Sequence, residues 1–157
     1  MSDTPRQRRP GFPVAYGIAA TEEGMLPWAW AVERLAASRT YWIVTARPDA
    51  TPHAAPVWGL WLDDAVVFST APESRKGRNL AHDPRVVVHL ESGDEVVIIE
   101  GEAERIALDA NIADTYEAKY AFWPGEPGGI WLKAVPRVAY AWLEADYPRT
   151  ATRFDFR

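Results

Sequence analysis

The densest chemistry in this chain lies in one run, Val67-Phe68-Ser69-Thr70-Ala71-Pro72-Glu73-Ser74-Arg75-Lys76-Gly77-Arg78-Asn79-Leu80. It reads as a strand ending in two hydroxyls, a turn, a Ser74 N-cap and a helix whose first turn is loaded with positive charge. Cations belong at a helix C-terminus, so Arg75, Lys76 and Arg78 face the positive end of the macrodipole at a cost of about 0.3–1 kcal/mol each when exposed. An anion would offset that cost. Free backbone N–H groups, a cap hydroxyl, a guanidinium fork and an ammonium are the groups that bind a phosphate. The alternative is a solvated basic helix.

A second segment, Thr51-Pro52-His53-Ala54-Ala55-Pro56-Val57-Trp58-Gly59-Leu60-Trp61, reads as a strand carrying two prolines and a glycine. Proline removes ladder donors, so Pro56 implies an edge, a bulge, or a stretch that faces something other than a strand. A flat ligand fits such a stretch, with the Val57 and Trp58 N–H groups turned to the carbonyl edge of a heterocycle and Gly59 allowing close approach. Core packing explains Trp58 equally well. Eight tryptophans are many for 157 residues. Some should line a planar-ligand pocket or a subunit interface. Glu91, Asp94, Glu95, Glu100, Glu102 and Glu104 form an acidic stretch without a base; strand alternation places the last three on one face, expected to be solvated.

Composition limits the rest. The chain has 48% apolar and 25% charged residues and a formal net charge of −5, which fits one globular domain and argues against general affinity for nucleic acid or anionic membrane. No cysteine is present, so disulfides, thiolate metal sites and a cysteine nucleophile are excluded. A soluble protein of the cytoplasm is expected, since neither a membrane-length apolar run nor an export signal is visible. The Walker, dinucleotide-binding, nucleophile-elbow and zincin motifs are missing. The spacing of His53, His82 and His89 matches no common metal motif, and no protein-bound metal is expected.

These residues need elements to position them. Residues 1–27 carry scattered prolines and glycines and read as an irregular arm; residues 28–157 read as a single domain. Trp28, Val32, Leu35 and Ala36 share one face of a helix ending near Ser38, expected to act as a lid on a sheet. Strands follow at Tyr41–Ala46, His53–Leu62 and Ala65–Thr70, then a helix from Ser74 to His82, then strands at Val86–Glu91 and Glu95–Ile106. The uninterrupted run Val96-Val97-Ile98-Ile99 predicts burial on both faces, as a dimer interface would give. Asp109 caps a helix to about Ala121 with Ile112, Ala113, Tyr116 and Tyr120 along one side. A loop with Pro124, Gly125, Pro127, Gly128 and Gly129 precedes a strand at Arg137–Leu143, and Ala151–Phe156 adds a short last one. Strands clustered without βαβ alternation predict a mainly antiparallel β barrel with peripheral helices.

The order and spacing of Thr45-Ala46-Arg47-Pro48-Asp49, Pro52-His53 to Pro56-Val57-Trp58, Phe68-Ser69-Thr70, Ser74-Arg75-Lys76, Asn79-Leu80 and Asp83-Pro84-Arg85-Val86 resemble the pyridoxamine 5′-phosphate oxidase-like split β-barrels. The likeness is greatest to their flavin/deazaflavin oxidoreductase branch, which uses coenzyme F-420. It covers about residues 28–106, with weaker echoes at Tyr140-Ala141-Trp142 and Thr152-Arg153-Phe154. What the resemblance implies is a homodimer with a cofactor site at each interface and a small organic substrate reduced by hydride from C5 of the deazaflavin. Ser69, Thr70, Ser74, Arg75 and Lys76 would hold the cofactor phosphate, with Asn79 nearby. His53, Pro56, Val57 and Trp58 would run beside the ring, and Trp142 and Arg153 would come from the neighbouring chain. Arg78 and the arm's Arg6, Arg8 and Arg9 are candidates for the acidic cofactor tail. Tyr116, Tyr120 and His53 are candidate proton donors, and no essential side-chain acid is assigned. An FMN-dependent oxidoreductase, or a non-catalytic binder of a flavin or haem, are the competing expectations, beside an interaction protein whose basic helix contacts a partner.

Overall fold

The computed structural model describes residues 4–125 and 129–157. Eight strands and four α-helices run along the chain as β1 (Arg6–Arg8), α1 (Trp28–Ala37), β2 (Thr40–Ala46), β3 (Pro52–Leu62), β4 (Ala65–Thr70), α2 (Arg75–His82), β5 (Arg85–His89), β6 (Glu95–Ile106), α3 (Ala110–Tyr120), β7 (Ile130–Leu143), α4 (Tyr147–Thr150) and β8 (Thr152–Asp155). The sheet runs β1-β8-β7-β4-β3-β2-β5-β6, and β6 pairs back onto β7. All the pairings are antiparallel. Strands β2 to β7 therefore close a six-stranded barrel, with β8 and β1 added beside β7. This is the mainly antiparallel barrel with peripheral helices that the strand clustering predicts.

Alternation of side chains across the pleat fills the barrel. In β2 every second residue is buried, Tyr41, Ile43 and Thr45, while Trp42 and Val44 point outward and stay half-exposed. The core adds Val66, Phe68, Val88, Val97, Ile99, Ala139 and Phe154, each 4% exposed or less. Helix α1 closes one end: Trp28 packs its ring on Trp61, Phe154 and Phe156 at centroid distances of 6.1, 5.0 and 5.0 Å. The buried stripe is Trp28, Ala31 and Leu35; Ala36, expected on it, is exposed.

Several elements differ from the sequence reading. The arm is not irregular throughout, because Arg6–Arg8 pairs with β8 and Arg9 ties the arm to the loop before α1 and to the end of α4. The Arg9 guanidinium donates to the carbonyls of Thr21, Glu23, Arg149 and Ala151 at 2.5–3.0 Å. Strand β7 begins at Ile130 rather than Arg137, since Leu132 and Ala134 face the interior and Trp131 packs under α3 ahead of Pro136. The 3-10 turn Glu144–Asp146 and helix α4 link β7 to β8. Pro127 and Gly128 of the glycine-rich loop lie outside the described residues.

Of the apolar run on β6, Val97 and Ile99 enter the core and Val96 is 9% exposed, whereas Ile98 remains half-exposed on the outer face. One chain thus does not bury both faces. The acidic face of β6 is not simply wet: Glu102 pairs with Arg137 at 3.1 Å and Glu104 with Lys133 at 3.3 Å, both across the β6–β7 ladder. That ladder shifts register at Glu100/Gly101. A Cβ at Gly101 would sit 2.0 Å from the Val135 carbonyl oxygen, which no real side chain tolerates. Gly101→Ala therefore forces the bulge apart. Thermal unfolding should show a loss of about 2 kcal/mol or more, in the range of overpacked core sites, and Tm should fall by roughly 4–8 °C; an unchanged Tm would contradict the close approach.

Candidate functional site

The candidate site begins where β3 loses a partner. From Gly59 to Leu62 β3 pairs with β4, but from Pro52 to Trp58 it pairs with β2 alone. The edge that Pro56 implied is therefore present and seven residues long. Phe68 is the last residue of β4 opposite β3, so the strands part where Ser69 and Thr70 begin. The hydroxyls that end β4 and the Val57–Trp58 backbone are the two sides of one fork.

The fork is held by Gly59. A Cβ there would meet the Val67 carbonyl oxygen at 2.8 Å and the Tyr41 ring at 3.1 Å. The Gly59 N–H donates to the Tyr120 hydroxyl at 2.8 Å, and the Gly59 carbonyl accepts from Lys119 Nζ at 2.8 Å. The Tyr120 hydroxyl lies 2.7 Å from the Arg39 carbonyl and 2.8 Å from that of Gly59, either of which can take its proton. Tyr120 thus substitutes for ladder partners, and its hydroxyl faces backbone. Tyr116 is buried edge-on against Trp131. Burial raises the pKa of both phenols, first through desolvation.

Helix α2 stands on the other side of the fork. Ser74 accepts from the Gly77 N–H at 3.0 Å and shares a hydrogen bond of 2.8 Å with Thr70 Oγ1. Such a cap contributes about 1 kcal/mol and fixes the first turn against the end of β4. Gly77 permits this approach, because a Cβ would lie 2.4 Å from the Ala71 carbonyl oxygen. Gly129 closes over Ser69 in the same way, with a Cβ 2.6 Å from Ser69 Oγ. Arg75 lies near both Arg78 and Arg47, and its pKa is lowered by partial desolvation and then by those two guanidinium groups. None of Arg47, Arg75, Lys76 and Arg78 makes an ion pair among the described residues. Arg47 joins the basic group through the β2–β3 turn, a contact that spacing along the sequence does not reveal.

Beneath the helix, Thr45 lies opposite His53 across β2 and β3, and Asn79 Nδ2 donates to Thr45 Oγ1 at 3.0 Å. Asn79 is fully buried. Its Oδ1 and the Nδ1 of His53 are buried without a hydrogen-bond partner. An unsatisfied buried polar atom costs roughly 1–3 kcal/mol, so two of them around one threonine hydroxyl mark a place built for a further polar group.

The structure thus brings together His53, Pro56, Val57, Ser69, Thr70, Ser74, Arg75, Lys76 and Asn79 at one end of the barrel. Trp58 belongs to the same strand, but its indole lies flat on Tyr120 at 4.5 Å and 4°. Trp142 and Arg153 are elsewhere. Arg153 bonds the Tyr140 hydroxyl at 2.9 Å and Asp155 at 2.7 Å, and Trp142 meets Tyr147 edge-on. Cross-strand partners lead from Pro56 through Trp42, His89, Ile98 and Tyr140 to Arg153. That path crosses five strand spacings round the outside of the barrel, and the other way, through β4 and β7, β8 stands three strands from β3. Of the arm residues expected near an acidic tail, Arg8 is paired with Asp155 and Arg9 is bound to carbonyls, so both are structural.

The family model for pyridoxamine 5′-phosphate oxidase matches residues 29–144, the whole barrel from α1 to the end of β7. The chain belongs to this family. The family includes flavin-dependent oxidoreductases. No curated protein matches the sequence significantly. Among solved structures, a conserved hypothetical protein from Mycobacterium tuberculosis is 24% identical, with a TM-score of 0.66 over 80% of this chain and 89% of that one. An F420 reductase is 21% identical, with a TM-score of 0.57 over 68% of this chain and 94% of that one. A heme binding protein from Mycobacterium smegmatis is 22% identical, with a TM-score of 0.62 over 75% of this chain and 55% of that one. These likenesses establish a shared fold. No helix among the described residues is long and apolar enough to cross a membrane.

Lys119 gives the fork a measurable signature. Desolvation and the neighbouring Arg39 charge lower its pKa from the ordinary 10.5 to about 8. Between those values the unfolded chain binds the extra proton, so Lys119 opposes folding below pH 8 and that penalty fades as pH rises. The chain has three lysines, Lys76, Lys119 and Lys133. In a 13C-dimethyl-lysine NMR titration one resonance should move with a midpoint near 8 and vanish in Lys119→Met. A Lys119 midpoint at the ordinary value would mean that the Gly59 brace is open in solution.

Proposed function

We propose that this protein is an oxidoreductase that binds the deazaflavin coenzyme F-420 along the open edge of β3 and reduces a small organic substrate. The observation that carries the reading is the joining of that edge to four cations that form no ion pair among the described residues, Arg47, Arg75, Lys76 and Arg78. One phosphate does not require four cations. A phosphate followed by an acidic tail uses them, which favours F-420 over FMN.

The residues present fit the group. Ser69, Thr70, Ser74, Arg75 and Lys76 would hold the phosphate, and Arg78 with Arg47 the acidic tail. The orphaned His53 Nδ1 and Asn79 Oδ1 offer hydrogen bonds to the chain linking phosphate and ring. The Val57 and Trp58 backbone, having no strand beyond it, would meet the polar edge of the ring. When bound, the deazaflavin supplies the hydride chemistry. The protein aligns the ring, keeps water from it and fixes its distance from the substrate.

In this reading the second subunit completes the site. The outer face carries Trp42 stacked on His89 at 6.0 Å and 3°, with Ile98 and Tyr140 in the same row, all half-exposed in one chain. Beside them lies a mostly apolar groove of about 480 Å³ between Val44, Val87 and Val138. A homodimer that buries this face would carry the partner's Trp142 and Arg153 to the fork. Wild type should sediment as a dimer at micromolar concentration and Ile98→Glu as a monomer of unchanged secondary structure; a monomeric wild type would remove the shared site.

Tryptophan fluorescence of the purified protein, titrated separately with F-420 and FMN, tests the cofactor. F-420 should quench saturably and more tightly than FMN, and Arg75→Ala/Lys76→Ala should weaken it at least tenfold, since each charge-assisted hydrogen bond is worth roughly 1.5–3 kcal/mol. Tighter FMN binding would reassign the cofactor. No saturable binding of either would end the oxidoreductase reading.

A further inference from the structure

A second cationic group stands at the opposite side of the fork, outside the phosphate cradle. Arg39, just before β2, holds its guanidinium 5.5 Å from the Trp58 ring centroid and 5.4 Å from that of Tyr120. Lys119 lies 5.2 Å from the same Tyr120 ring and 4.9 Å from Tyr41. Neither cation pairs with a carboxylate among the described residues. Two like charges sharing one aromatic ring repel, and the arrangement gains from an added anion.

Aromatic surface surrounds that charge. Trp58 covers Tyr120 with one face and is still 39% exposed, while Phe122 and Trp123, directly after α3, are 53% and 50% exposed. Phe122 meets Trp58 edge-on at 6.4 Å. Trp58 and Phe122 in contact, with exposed Trp123 next along the chain, offer a surface for a flat apolar body on a chain of net charge −5. The guanidinium at its rim selects what that body carries, because a planar fork binds a carboxylate with two parallel hydrogen bonds.

We propose that Trp58, Phe122 and Trp123, with Arg39 at their rim and Lys119 behind, form the substrate subsite and that it takes planar aromatic carboxylates. Calling the ligand a substrate rests on the cofactor reading above, since Trp58 is the last residue of the open β3 edge; the binding site itself does not. The aromatic body would lie against the free indole face and the carboxylate on Arg39, on the side of the fork away from Arg75 and Lys76.

The test uses the whole protein and anthracene-2-carboxylate as probe, with its neutral carboxamide as control, monitored by probe fluorescence anisotropy. The carboxylate should bind at least tenfold tighter than the amide. Arg39→Met, an exposed substitution, should abolish that preference while leaving the amide affinity and Tm unchanged, and Trp58→Leu should weaken both probes. Arg75→Ala/Lys76→Ala should leave the preference intact, and saturating F-420 or FMN should not displace the carboxylate. Equal affinity for the two probes, a preference that survives Arg39→Met, displacement by the cofactor, or no saturable binding would overturn the proposal. Failure of the cofactor reading looks different: neither cofactor binds while the Arg39-dependent preference persists.

Discussion

The site depends on one backbone constraint, the exit of β4 from the side of β3 at Gly59. A strand in a barrel normally spends its N–H and C=O groups on two neighbours. Here the Val67 carbonyl and the Tyr41 ring crowd the Gly59 Cα so closely that any side chain would push the strands apart. The Gly59 N–H and carbonyl are taken by Tyr120 and Lys119 beyond the Thr40 end of β2, the Tyr120 hydroxyl also reaching the Arg39 carbonyl. Past the Gly59–Phe68 pair β4 leaves β3 and keeps its pairing with β7 through Ser69 and Thr70. The preceding seven residues of β3 then lie open beside the Ser69 and Thr70 hydroxyls. The prolines at 52 and 56 fit this arrangement, since an open edge needs no donor from them.

Charge obeys the same division. The chain is acidic overall, yet Glu102 and Glu104 of β6 face Arg137 and Lys133 across a ladder, while the two basic groups at the fork form no ion pair among the described residues. The basic groups differ in kind. Arg75, Lys76, Arg78 and Arg47 gather around a helix N-terminus and serine and threonine hydroxyls, which suits a tetrahedral oxyanion and a flexible acidic chain. Arg39 and Lys119 sit among aromatic rings, where the partner must be flat. A fork with these two sides orients a molecule that spans it, because each end is rejected by the chemistry of the other.

Much of this was legible in the sequence because it is written locally. Ser74 as a cap, cations in the first turn of α2 and hydroxyls at the end of β4 are neighbours along the chain, and Pro56 announces an unpaired edge by its missing donor. The barrel class comes from strands too close together for crossover helices. The features that were not legible depend on residues distant in sequence. Arg47 approaches Arg75 only because the β2–β3 turn folds beside α2, and Tyr120 reaches Gly59 across sixty-one residues. The arm's arginines mislead for the same reason. Their composition resembles that of an anion channel, but Arg8 and Arg9 are consumed by β8 and four carbonyls. The pattern places the start of the last long strand at Arg137, whereas the structure carries β7 back through Pro136, which sits opposite Gly101 at the register shift.

The half-exposed row from Trp42 to Arg153 bears on what a second copy would add in the proposed dimer. Closing six strands leaves no unclaimed wall to shelter a tricyclic ring, because the interior is already filled by Tyr41, Phe68, Ile99 and Phe154. A small barrel therefore binds a large planar group on its outside, and an outside site excludes water only when another surface covers it. The outer face of β2, β5 and β6 carries half-buried Trp42, Val44, Val87 and Ile98 where that cover would lie. Within one chain Arg153 is held by Tyr140 and Asp155 and Trp142 packs on Tyr147, so under the proposed dimer it is a two-fold axis through the outer face that would bring copies of these side chains to the fork.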